Sequence, residues 1–83
     1  MSETELDADV TVDSRGATCP GPLMDLIGHV RTADAGTVFE LLTTDSASKH
    51  DVPEWVEKAG HETLGVVDHD DEGYWSIFVR TAR

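Results

Sequence analysis

The apolar positions of this chain fall into four short extended runs and two stretches with helical spacing. Val10-Thr11-Val12 is an alternating run of β-branched residues and predicts a first strand, after an acidic start expected to be frayed. From Pro22 onward, Leu23, Leu26, Ile27 and Val30 fall at i, i+3, i+4 and i+7, the stripe of an amphipathic helix, and Gly36 lies where the chain must have left it. The run from Thr37 to Thr44 predicts a second strand, closed by the turn-forming pair Asp45-Ser46. Polarity does not cleanly separate its two faces. A second helix is predicted from Asp51 as N-cap, with Pro53 in its first turn and Glu54 placed to answer the cap. Val52, Trp55, Val56 and Ala59 form its apolar stripe, and Gly60 suits the left-handed position after its end. Leu64-Gly65-Val66-Val67 and the run from Tyr74 to Val79 then predict a closing hairpin across the polar loop 68–73.

The order β-α-β-α-β-β, with one-sided helices and short strands, predicts an α+β fold. Its form is a two-layer sandwich, two helices packed together on one face of a four-stranded mixed sheet, with the other face largely solvated. At 83 residues the chain is expected to be one domain over 9–83, preceded by a disordered acidic segment, 1–8. No internal repeat or low-complexity tract interrupts it.

Charge narrows the functional classes. Asp and Glu number 17 against 6 Lys and Arg, for a formal net charge of −11. The few cations, Arg15, Arg31, Lys49, Lys58, Arg80 and Arg83, are scattered rather than gathered into a stripe, so direct nucleic-acid binding is not expected. The acidity suits a halophilic, salty cytosol or, less simply, recognition of a basic partner face. No segment approaches the roughly 18 apolar residues of a membrane span, and the first residues carry no basic or apolar export signal. A cytoplasmic, monomeric protein without cofactor is expected.

One cysteine, Cys19, excludes an internal disulfide or a C-x-x-C pair. Most unpaired cysteines are small buried apolar side chains. Cys19 differs in its surroundings, because it lies between a predicted strand and a predicted helix in the run from Asp13 to Pro22. Pro20 and Pro22 suit a first helical turn, where a proline's missing N–H costs nothing, and the open amides and dipole of that turn favour a thiolate. The four histidines, His29, His50, His61 and His69, show no i,i+3 or i,i+4 pair, and with no second cysteine a metal site is not expected. A Cys-His hydrolase lacks support as well, since so small a sandwich has little depth for a substrate cleft.

The runs Asp13-x-Arg15-Gly16-x-x-Cys19-Pro20-x-Pro22-Leu23-Met24, Asp51-Val52-Pro53-x-Trp55 and Gly60-His61-Glu62 resemble the TusA/SirA family of small sulfur carriers, over about Val10 to Arg80. The resemblance implies that Cys19 accepts sulfane sulfur as a persulfide and relays it to an acceptor protein, in sulfur trafficking that in better studied relatives includes 2-thiouridine formation in tRNA. It also implies a protein donor of cysteine desulfurase or rhodanese type, so that any sulfurtransferase activity is exercised with partner enzymes. The second reading is a thiol-based redox-sensing or regulatory interaction module.

The supporting residues carry separate expectations. Asp13 is expected to fix the turn through backbone hydrogen bonds and Gly16 to permit the chain reversal. Arg15 either stabilises the thiolate and persulfide, docks a partner carboxylate, or is a surface cation neutralising nearby aspartates. Met24 and Trp55 are expected to pack in the core, and His61 to cap carbonyls or pack. Ser46 replaces a proline common in relatives, and the first helix has Asp25 and only Arg31 where relatives often carry several basic residues. Altered partner faces follow from that difference.

Overall fold

The computed structural model describes residues 8–18 and 21–82. Expectations resting on residues 1–7, on Cys19 and on Pro20 lie outside the described residues. The chain runs β1 (Val10–Asp13), α1 (Gly21–Val30), β2 (Val38–Thr43), α2 (Ser48–Lys58), β3 (Glu62–His69) and β4 (Tyr74–Arg80). In the sheet the strands lie in the order β1-β2-β4-β3. β1 and β2 are parallel, and β4 is antiparallel to both of its neighbours. The last strand therefore returns into the slot between β2 and β3, so that a nearly continuous apolar run becomes a central strand. This is the predicted α+β arrangement of two helices on a mixed sheet.

Burial alternates strictly along β2 although polarity does not. Phe39 and Leu41 join Val12 of β1, Leu26 and Val30 of α1, Val52 and Val56 of α2, and Ile77 and Val79 of β4 in one core between sheet and helices. Each such side chain removed from water contributes about 1.5 to 3 kcal/mol before entropy is counted. Val38, Glu40 and Leu42 alternate onto the opposite face and remain half-buried.

That opposite face is less solvated than expected. Ser76 is fully buried and Phe78 is 7% exposed, although both stand on it. Ser76 is covered because its hydroxyl sits in a chain of hydrogen bonds between His69 and Glu40. Phe78 pairs with Gly65, which has no side chain to compete for the space beside the ring.

The second helix also corrects an expectation. It begins at Ser48 with Ala47 as N-cap, so Asp51 is not the cap, Glu54 has no cap to answer and Pro53 lies inside the helix. The cause is an Asx turn, in which Ala47 N–H donates to Asp45 Oδ1 at 3.2 Å. The N–H groups of Ser48, Lys49 and His50 then reach three residues back, a tight first turn that precedes the i→i−4 pattern. Pro53 thus enters a helix already nucleated. At the other end Gly60, at φ 86°, permits the paired closing bonds Gly60 N–H to Glu57 O and His61 N–H to Val56 O.

Leu41 is fully buried on a central strand. Leu41→Ala is expected to lower the unfolding free energy by about 3 kcal/mol in urea titration; a loss under about 1 kcal/mol would place the core elsewhere.

Candidate functional site at the approach to Cys19

Cys19 is two residues ahead of the first residue of α1, and the loop 14–18 leads to it from β1. That loop is tied down from several directions. Ser14 N–H donates to Leu42 O at 2.9 Å, which continues the β1–β2 ladder by one bond. Its hydroxyl, almost wholly buried, donates to Asp25 Oδ2 of α1 at 2.6 Å. A charge-assisted bond of this kind links strand end to helix more strongly than a neutral pair.

Asp13 closes the turn itself. Its Oδ1 accepts the backbone N–H of Arg15 at 3.1 Å, while the Arg15 guanidinium donates from Nε to Oδ1 at 2.9 Å and from Nη2 to Oδ2 at 2.8 Å. These bonds from Arg15, side chain first and backbone second, lower the Asp13 carboxyl to about 2. Because the folded-state value is depressed, the stabilisation this pair supplies is fully present above the ordinary carboxylate value and fades as pH falls toward 2. Both partners are about half exposed, so the pair shapes the loop more than it stabilises the fold. The guanidinium carbon also lies 5.0 Å from the centroid of the Tyr74 ring on β4.

Gly16 reverses the chain at φ 92°, a conformation that costs other residues, and its N–H donates to Thr44 Oγ1 at 2.9 Å just beyond β2. Ala17 N–H returns to Ser14 O, and Gly21 N–H to Thr18 O at 2.7 Å. A Cβ on Gly21 would stand 3.2 Å from the Ala17 methyl, so the loop passes close over the helix start. Pro22 is fully buried at the second position of α1 and has no N–H to satisfy. By helix geometry the amide of Leu23 has no acceptor within the helix, and it belongs to the turn that follows Cys19. A thiol held at such an end meets the positive pole of a dipole.

Asp13, Arg15, Gly16 and Pro22 thus frame the approach to Cys19. Ser14, Asp25, Thr44 and Tyr74 join them without a local sequence signal that marks them. Ser14 lay within the motif without a role, Asp25 registered only as a charge, and Thr44 and Tyr74 arrive through strand pairing that local pattern does not reveal. Met24 is 58% exposed, which corrects its assignment to the core, because it stands off the stripe that carries Leu23, Leu26 and Val30. Trp55 packs half-buried against the core. His61 caps no carbonyl with its ring, since Nδ1 accepts the N–H of Ala82 at 3.0 Å while the ring lies 5.9 Å from that of Trp55. Leu23, Asp51, Glu54, Trp55 and Lys58 line a shallow groove along the two helices, with Lys58 Nζ 3.8 Å from Glu54 Oε2. Among the described residues no group of three His, Cys, Asp or Glu is placed to hold a metal ion.

The family model described as Sulfurtransferase TusA matches residues 10–81. A protein of Archaeoglobus fulgidus named "Putative sulfur carrier protein" is 48% identical over 71 residues, covering 86% of this chain and 94% of that protein. The "Sulfur carrier protein TusA" of Pseudomonas entomophila is 36% identical over 77 residues, covering 93% and 94% of the two chains. Among solved structures, a SirA-like protein from Desulfitobacterium hafniense superposes with a TM-score of 0.77 at 20% identity, covering 89% of this chain and 99% of that one. The last match speaks for the fold.

The fork between Asp13 and Arg15 is open to a direct check. Carboxyl carbon NMR should find Asp13 titrating at about 2, and Arg15→Ala should return it toward 3.8. An unchanged titration in the variant would mean that Arg15 does not hold the carboxylate in solution.

Proposed function

The chain belongs to the TusA family, and from that premise we propose that it is a sulfur carrier whose Cys19 is loaded with sulfane sulfur as a persulfide and unloaded onto an acceptor protein. The Cys19 thiolate attacks the terminal sulfur of a donor persulfide. A new S–S bond forms at Cys19, the donor's S–S bond breaks, and the donor leaves as a thiolate that takes up a proton. An acceptor thiolate then repeats the exchange on the Cys19 persulfide and regenerates the Cys19 thiolate. The sulfane sulfur keeps its oxidation state throughout, so neither an oxidant nor a reductant is consumed.

The observation that carries the reading is the placement of the chain's one thiol, two residues ahead of α1 and behind a loop bonded to β2, β1 and α1. A relay thiol has to attack well and also accept attack, so it is served by moderate acidification from helix amides rather than by a strong neighbouring base. Nucleophilicity falls with the thiol pKa, which makes a value near ambient pH the useful one.

Donor and acceptor are proteins that dock over the loop. The groove of α1 and α2 offered to them carries Asp51, Glu54 and Lys58 around half-buried Leu23 and Trp55, and α1 also exposes Met24. A cysteine desulfurase or rhodanese that suits this surface presents basic groups around an apolar centre. The compartment is the cytoplasm, where an unpaired thiol stays reduced; among the described residues no helix is long and apolar enough to cross a membrane. The net charge of −11 favours a monomer through self-repulsion.

Incubation with a cysteine desulfurase, L-cysteine and pyridoxal phosphate, or with a rhodanese and thiosulfate, followed by intact-mass spectrometry, tests the proposal. The expected result is a gain of about 32 Da, one sulfur atom, removed by dithiothreitol and absent from Cys19→Ser. A protein that gains no sulfur from either donor, or a serine variant that still does, contradicts it.

A further inference from the structure

Arg15 has a contact that its own turn does not explain. Its fork with Asp13 is local, joining residues two apart at the end of one strand. The Tyr74 ring, 5.0 Å from the guanidinium carbon, belongs to β4 and lies on the sheet face turned away from the helices. That ring is itself held in place. It stacks on the His69 ring at 4.4 Å between centroids and 24° between planes. His69 Nε2 lies 2.8 Å from Ser76 Oγ, and the fully buried Ser76 hydroxyl donates to Glu40 Oε2 at 2.7 Å. One continuous chain of contacts therefore crosses β2, β4 and β3 and ends beneath the arginine of the Cys19 loop.

We infer that Tyr74 is a positioning residue for the loop that presents Cys19, acting through Arg15. The inference rests on the carrier reading above. A long arginine side chain on an exposed turn has considerable rotamer freedom, and Asp13 moves with the same turn. The ring fixes the guanidinium against a strand that the loop does not otherwise touch through Arg15, and the His69-Ser76-Glu40 chain keeps the ring from yielding. A loop ordered in advance docks onto a partner without the cost of ordering it at that moment. The benefit belongs to docking, so it appears in the donor concentration needed for loading rather than in the rate at saturation.

The experiment measures persulfide loading of Cys19 against concentration of a cysteine desulfurase supplied with L-cysteine and pyridoxal phosphate. Tyr74→Leu is expected to raise the apparent KM for the desulfurase about two- to five-fold, the scale of an exposed cation–π contact, with kcat unchanged. Tyr74→Phe, which keeps the ring face, should restore the wild-type value. Arg15→Ala reads the same link from its other end and should raise KM at least as much, and adding Tyr74→Leu to it should have no further effect. A Tyr74→Leu protein with wild-type KM overturns the inference, as does an effect of equal size in the Arg15→Ala background, which would mark a general loss of structure. A wild-type protein that is not loaded at all fails the carrier reading and takes the inference with it, whereas normal loading that ignores Tyr74 and Arg15 fails the inference alone.

Discussion

A sulfur relay has to expose its thiol to two partners in turn while keeping the surrounding backbone in one arrangement, and a five-residue loop cannot do that by its own interactions. Here the loop 14–18 borrows order from its neighbours. Ser14 spans from the β2 backbone to Asp25 of α1, and Gly16 reaches Thr44 at the far end of β2. Each bond requires β1 to lie parallel beside β2, with α1 returning over the sheet. The parallel β1-α1-β2 unit is therefore what makes the site possible. The insertion of β4 between β2 and β3 serves the same loop by bringing Tyr74 under Arg15.

The periodic elements were legible because their signals are local. The stripe of Leu23, Leu26 and Val30 and the apolar run from Tyr74 to Val79 each depend on spacing within one segment, and both became the elements predicted. The start of α2 was hidden by competition between two plausible caps. Asp51 ahead of Pro53 resembles a helix start, yet Asp45 captures the Ala47 amide first and nucleates the helix earlier. The family motif pointed to Asp13, Arg15 and Gly16, and the local bonds of Asp13 to the Arg15 backbone and of Arg15 to an aspartate were expected, while the cross-sheet partners of Arg15 and Gly16 were not readable. Thr44 and Tyr74 are 28 and 59 positions from their loop partners, Gly16 and Arg15, and only the register of the sheet brings them together. The buried Ser76 and Phe78 on the outer face have the same origin, since their cover comes from cross-strand neighbours.

The acidic surface affects the partners more than the chemistry. In the proposed relay, thiol exchange at Cys19 draws on the open amides at the start of α1 and on the loop 14–18, neither of which depends on the overall charge of −11. Docking does depend on it. Of the cations available near the loop, Arg15 is already forked to Asp13, so the site does not present a free positive charge to an incoming protein from that residue. On the proposed reading, a donor or acceptor meets the groove of Leu23, Asp51, Glu54, Trp55 and Lys58 on a strongly acidic protein, and its own complementary surface follows from that.

The start of α1 is expected to prepare Cys19 as a nucleophile, and the pH dependence of its alkylation reads this out. The rate of reaction with iodoacetamide, followed from about pH 5 to 10, reports the thiol's apparent pKa. A midpoint clearly below the value of about 8.5 for a free cysteine, and near neutral pH, is the result predicted. A midpoint at or above about 8.5 would show a thiol that the helix does not activate and would contradict the account.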